Sequence, residues 1–244
     1  NYVLQANNFL GSQGKFFRFC YYYEVYSILF MAPGYIEHNL EHYRQCFNWD
    51  CGVSCVLMLL PPGQRDEMLD NFEQICQDEG FQQSTWTIDL CYLLKRFGIR
   101  HCMYTTLLGV NEDYRRHEYY DRIINMDRER VKRRFAEATA CGIDVQKHSL
   151  THEELLRHLS TTGPVIALVD ASMLVCDLCK RCFGGTYSGH YIVLVGYSRD
   201  KLLYRDPALP ARLCATSPAR LHRARRAVGT DEDEILSGLR KQTM

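Results

Sequence analysis

Gln45-Cys46-Phe47-Asn48-Trp49-Asp50-Cys51-Gly52-Val53-Ser54-Cys55 is the stretch on which the reading of the fold turns. From Cys51 to Leu60 the chain is apolar and reads as a helix. Pro61-Pro62-Gly63 must stop it, because proline cannot donate the required backbone N–H. A cysteine that opens a helix sits where the macrodipole and the free N–H groups stabilise an anion, so its thiolate is favoured. Gln45, six residues upstream, can fold back and present its side-chain NH₂ beside the sulfur. Together with the Cys51 backbone N–H it would form an oxyanion hole.

Working outward, the partners of such a thiol lie far downstream. His190-Tyr191-Ile192-Val193-Leu194-Val195-Gly196-Tyr197 is a short apolar run of the kind that makes a buried strand, with a histidine at its start. Lys201 to Arg205 reads as its hairpin partner across a Ser-Arg-Asp turn, and Asp206-Pro207 follows directly. Hairpin neighbours meet, so Asp206 is placed to hold the His190 imidazole. Cys51 as nucleophile, His190 as base, Asp206 as orienting carboxylate and Gln45 as oxyanion donor stand in the order of a papain-like site.

The rest of the chain supplies the frame. Asp66 to Glu79 reads as a helix with Met68, Leu69, Phe72, Ile75 and Cys76 on one face, closed by Gly80. Ser84 or Thr85 caps a third helix running to Phe97, with Ile88, Leu90, Cys91, Leu93 and Leu94 inward. Arg116 to Cys141 is one long polar-faced helix or two shorter ones. Thr151-His152-Glu153-Glu154 is a capping box that opens a helix to about Ser160. Pro164 to Asp170 is a second buried strand. Helices in the first half and an antiparallel sheet in the second make an α+β domain. Residues 1–40 are aromatic-rich and without a steady period, either an added strand or, the favoured reading, a poorly ordered appendage outside the core fold. Residues 41–236 form the domain, and 237–244 a tail.

Hydrophobic residues are 46% and charged residues 24% of the 244, which excludes wholesale disorder and fits one sizeable core. Lys plus Arg equal Asp plus Glu at 29 each, so net charge gives no reason to expect nucleic acid or an anionic membrane as partner. Two arginine-rich stretches, Arg115 to Arg134 and Arg220 to Arg226, alternate with acidic or apolar residues and read as solvated faces. Phe16 to Ala32 carries Arg18 and Glu24, too short and polar to cross a bilayer of about 30 Å. No secretory signal is evident, so a cytoplasmic location is the default.

Twelve cysteines are too few and scattered for a disulfide scaffold, and free thiols are expected. No cofactor is required by the thiol chemistry. The run Cys176-x2-Cys179-x2-Cys182 can offer three thiolates to zinc, with a fourth ligand from elsewhere, or be an unmetallated surface insertion.

Gln45-x5-Cys51-Gly52, then Gly189-His190-x-x-Val193-Leu194, then Asp206-Pro207 resemble the C39-type cysteine peptidases of the papain-like superfamily. Asn48 to Gly52, Trp86-Thr87-Ile88-Asp89-Leu90, Cys176-Asp177-Leu178-Cys179 and Gly229 to Asp233 resemble the guanylyl cyclase domain-containing protein family, which includes plant proteins described as guanylyl cyclases. The first resemblance implies the papain-like fold and the roles given above to Cys51, His190, Asp206 and Gln45. It also implies a peptide or protein substrate, ubiquitin-like tails included. The second implies cyclic GMP formation from GTP. The chain has no Walker motif and no glycine-rich phosphate loop, so a cysteine-dependent hydrolase is the favoured reading. A guanylyl cyclase and a catalytically silent papain-like binding protein are the alternatives.

Overall fold

A computed structural model describes residues 34–81, 83–112, 114, 118–179 and 187–238. The calls on residues 1–33, on Cys182 and on the last six residues of the tail therefore lie outside the described residues. The elements are β1 (Tyr35–Glu37), α1 (Cys51–Leu59), α2 (Pro62–Asp70), α3 (Phe72–Glu79), α4 (Thr87–Arg96), β2 (His101–Thr105), α5 (Glu118–Glu137), β3 (Asp144–Lys147), α6 (His152–Thr161), β4 (Val165–Asp170), β5 (Gly189–Ser198), β6 (Lys201–Arg205), β7 (Cys214–Thr216), α7 (Pro218–Arg225) and β8 (Glu234–Ser237).

The eight strands form one sheet in the order β3-β2-β8-β4-β5-β6-β7, with β1 paired to the end of β5. The fold is α+β, but the sheet is less segregated than the sequence suggests. β1, β2 and β3 come from the first two thirds of the chain, and β2 with β3 is a parallel pair. Short half-exposed strands such as Asp144–Lys147 carry no apolar alternation and leave no period to read.

The middles of β5 and β4, Tyr191 to Val195 and Val165 to Val169, are apolar because both of their faces are covered. Tyr191, Val193 and Val195 join Ile166 and Ile235 in the core with α1 and α4. The intervening Ile192 and Leu194 are equally buried and point to the opposite face, as strand alternation requires; α6 packs on β5 and α7 on β4. Every residue of α1 is buried. Gly52 explains how it gets so close: a Cβ there would lie 2.8 Å from Leu90 Cδ1 and 3.0 Å from Tyr191 Cδ2.

Several local expectations need correction. The Asp66–Glu79 helix is two helices, because the Asn71 side chain donates to the Glu67 carbonyl at 2.8 Å and its backbone leaves helical geometry. Met68 and Ile75 are buried as expected, but Leu69 is exposed. Gly80 does close α3, at φ 70°. Neither Ser84 nor Thr85 caps α4, which starts at Thr87; the Asp89 carboxylate accepts the Trp86 N–H at 2.9 Å, while Ser84 donates to Asp127 on α5. Helix α5 is unbroken, and α6 carries its capping box, with the Glu154 N–H donating to Thr151 Oγ1 at 3.2 Å.

The arginine stretches are not simply solvated faces. Arg134 and Arg130 turn inward onto fully buried Asp89, at 2.8 and 2.9 Å, and Arg134 also meets Glu79 at 2.7 Å. Arg225 is buried and paired with buried Glu234 at 3.0 Å. A charge count along the sequence cannot distinguish a solvated arginine from one whose carboxylate partner is on another element.

Candidate active site

Cys51 is the first residue of α1. The preceding loop is folded around Asp50, whose two carboxylate oxygens accept the N–H groups of Cys46 and Phe47, each at 3.0 Å. Asp50 is itself buried, so the entry into the helix is fixed, and the Cys51 sulfur comes out where the helix N–H groups are unpaired. Cys55 lies one turn inward, fully buried, and burial pushes its thiol well above the ordinary range.

His190 is the second residue of β5, and Asp206 follows the end of β6. Their side chains meet: His190 Nε2 and Asp206 Oδ1 are 2.8 Å apart, and both residues are buried. Asp206 Oδ1 also accepts the Ala208 N–H at 2.9 Å, which orients the carboxylate. The Cys51 sulfur is the other neighbour that acts on the ring, and it raises the basicity of His190. Burial alone would lower the basicity of His190; the bond to Asp206 and the attraction of the Cys51 sulfur outweigh it and raise its pKa to about 10. Both neighbours thus favour the protonated ring.

Gln45 is tied to the same corner from its backbone, its N–H donating to the Pro207 carbonyl at 2.9 Å, next to Asp206. Its side-chain Nε2 donates to the Phe47 carbonyl at 2.7 Å, and Oε1 is buried with no hydrogen-bond partner among the described residues. Of the residues expected at the site, Cys51, His190 and Asp206 come together, and Gln45 is anchored beside Asp206 with its amide turned along its own loop.

Cys51 opens onto a cavity whose walls include Trp49, Trp86, Tyr187 and Tyr191, with Asp231 and Asp233 among its lining. The Tyr191 hydroxyl is 2.9 Å from Thr87 Oγ1, and Trp86 Nε1 donates to Asp127 at 3.0 Å, so both rings are fixed. Burial drives the Asp233 carboxyl up to about 7, against the opposing hydrogen bonds of Thr105 and Thr87. Sequence reasoning gave Asp231 and Asp233 no role. They entered only as part of the Gly229 to Asp233 segment that carries the family resemblance, an acidic turn ahead of the apolar Ile235-Leu236.

Comparison with known proteins places this arrangement in a family. The model of the family described as guanylylate cyclase matches residues 40–237, most of the chain. The chain belongs to that family. It is similar to guanylyl cyclase 1 of Arabidopsis thaliana, 34% identical over 218 residues that cover 85% of this chain and 78% of the relative. Among solved structures it is similar to a C39-like peptidase candidate from Bacillus anthracis, at 23% identity and a TM-score of 0.28, over 36% of this chain and 47% of the other.

Of the second expected cluster, Cys176 and Cys179 lie together, and Cys182 is outside the described residues. Among the described residues a third thiol joins them: Cys214, the first residue of β7. Cys214 is thirty-five residues beyond Cys179 in sequence, and only the β6–β7 pairing brings it near, so the spacing of the cysteine run gave no hint of it. Among the described residues no helix is long and apolar enough to cross a membrane.

Proposed function

We propose that this chain is a cysteine-dependent hydrolase on a papain-like, C39-like scaffold, acting on an acyl bond of a peptide or protein, ubiquitin-like tails included. The observation that carries the reading is the buried His190–Asp206 bond at 2.8 Å beside a thiol that opens a helix. In this mechanism the Cys51 thiolate attacks the acyl carbon and forms a bond to it. The carbonyl π electrons move to oxygen, where the Cys51 N–H and a Gln45 amide hydrogen stabilise the developing charge. The tetrahedral intermediate collapses, and the leaving group takes the proton from His190. Water, giving its proton to the now neutral His190, then attacks the thioester carbon; the C–S bond breaks, the acyl group leaves as a carboxylic acid, and the Cys51 thiolate and protonated His190 are restored. Asp206 holds the imidazole in the tautomer and orientation both steps need. The aromatic walls and the two carboxyls of the cavity suit a substrate side chain that is apolar or cationic.

The Arabidopsis relative's name supports a second reading, cyclic GMP formation from GTP. Such a reaction must neutralise a triphosphate, usually with metal ions and basic side chains. The described lining of the cavity includes Asp231 and Asp233 and no Lys or Arg, which disfavours a polyanion there. Assaying the purified chain for cyclic GMP from GTP, with and without Mn²⁺, separates the two. Background turnover is expected; robust turnover that survives Cys51→Ala would overturn the hydrolase reading.

A further inference from the structure

The thiols of Cys176, Cys179 and Cys214 all lie within 4.8 Å of one another. Two come from a tight turn on the connection between β4 and β5, and the third from β7 on the other side of β6. We propose that these three cysteines form a thiolate site for a single zinc ion that pins the β4–β5 connection to the sheet.

The geometry is close to what the ion needs. Zinc–sulfur bonds of about 2.3 Å in a tetrahedral site put the sulfurs about 3.8 Å apart, so the cluster has to contract only by about 1 Å at most. Cys176 and Cys179 have the two-residue spacing of a metal-binding turn, and the Cys179 N–H already points at the Cys176 sulfur at 3.4 Å. A backbone N–H donor of this kind compensates a metal-bound thiolate.

The turn is held in register with β7 independently of any ion. The Asp177 N–H donates to the Ala215 carbonyl at 2.8 Å. The Asp177 carboxylate is bonded to Lys201, at 2.7 Å, and to Arg220. Three thiolates around a divalent ion carry one net negative charge, and these two cations with one carboxylate carry one net positive charge beside it. Cys214 and Cys176 are buried, so the ion would be shielded from water on two sides and have one tetrahedral position left for a further donor. This site is separate from Cys51 and does not depend on the hydrolase reading.

Metal analysis of the full chain, purified under reducing conditions without a polyhistidine tag, tests the proposal. One zinc per chain is expected, and cobalt(II) in its place should give a thiolate-to-metal charge-transfer band. Cys214→Ser should reduce zinc to background, while Cys46→Ser, at an exposed and unrelated thiol, should leave it at one. If Cys214→Ser does not fold, the parent is stripped with a chelator and retitrated with zinc. Recovery of one equivalent together with a rise in Tm supports the site. A folded, fully reduced parent that takes up neither zinc nor cobalt overturns it, as does a Cys214→Ser variant that keeps its zinc. A disulfide joining Cys214 to Cys176 or Cys179 in the freshly isolated chain also overturns it.

Discussion

His190 Nε2 lies 2.8 Å from Asp206 Oδ1 because Arg205 is the register partner of Val193, so the chain leaves β6 beside the first residues of β5. The hairpin, with Arg199 at φ 47° in its turn, thus brings the two side chains together through backbone pairing. A protonated imidazole held there should make Cys51 the thiol that reacts first. Limited iodoacetamide labelling at neutral pH, mapped by mass spectrometry, is expected to modify Cys51 well ahead of fully buried Cys55. In His190→Ala the labelling rate of Cys51 at pH 7 should fall by about tenfold or more and recover at alkaline pH. An unchanged rate in a folded variant would remove the pairing.

The Gln45 amide gives a prediction that separates chemistry from scaffolding. Its backbone is anchored to Pro207, and its Nε2 holds the Phe47 carbonyl with one hydrogen and retains another. On any acyl substrate that the chain is found to turn over, Gln45→Ala should lower kcat by about 10² to 10³-fold and change KM little, because the donor acts on charge present only in the intermediate. A purely structural glutamine would lower Tm and leave kcat within a factor of about two of the parent value.

Much of this corner was legible in the sequence, for a physical reason: helix starts, strand starts and hairpin ends have local signals, and Cys51, His190 and Asp206 each occupy one. The hairpin of β5 and β6 and the capping box of α6 were readable in the same way. Gly52 was visible as a residue, but its cause was not, since the close approach of Leu90 and Tyr191 belongs to tertiary packing. Cys214 and Asp233 were unreadable for a related reason. Their neighbours are set by sheet order, β7 beside β6 and β8 between β2 and β4, which no local period encodes. The inward arginines of α5 and α7 belong to the same class.

Arg225 gives the stability prediction. It is bonded to Glu234 on β8 at 3.0 Å and to the Leu150 carbonyl, all within the protein interior. Burial pushes the Glu234 carboxyl up to about 7, although Arg225 pulls it down. Arg225→Met leaves that carboxyl buried without its partner and should cost about 3–5 kcal/mol, measured by urea denaturation. Adding Glu234→Gln should recover part of the loss; no recovery would mean that packing and not charge holds the pair.

Asp233 gives the pH dependence. Its carboxyl titrates at 3.8 when unperturbed and is raised to about 7 in the folded chain, chiefly by burial. Between those values the folded state binds a proton that the unfolded state does not, so stability falls as pH rises through this window. Asp233→Asn cannot ionise. Its Tm advantage over the parent should therefore grow from about pH 5 to about pH 8, by about 2–4 °C for each kcal/mol of relieved penalty. A difference independent of pH would show that Asp233 ionises freely in the cavity.

Trapping the covalent intermediate tests the central claim most directly. The chain is mixed rapidly with an activated ester, quenched in acid, and the modified peptide is identified by mass spectrometry. A stoichiometric acyl group on Cys51 is expected, forming in a burst and then turning over. In His190→Ala the burst should be lost while the fold is kept. Acylation spread over exposed cysteines, or a Cys51 acylation rate that is the same in the parent and in His190→Ala, would contradict it.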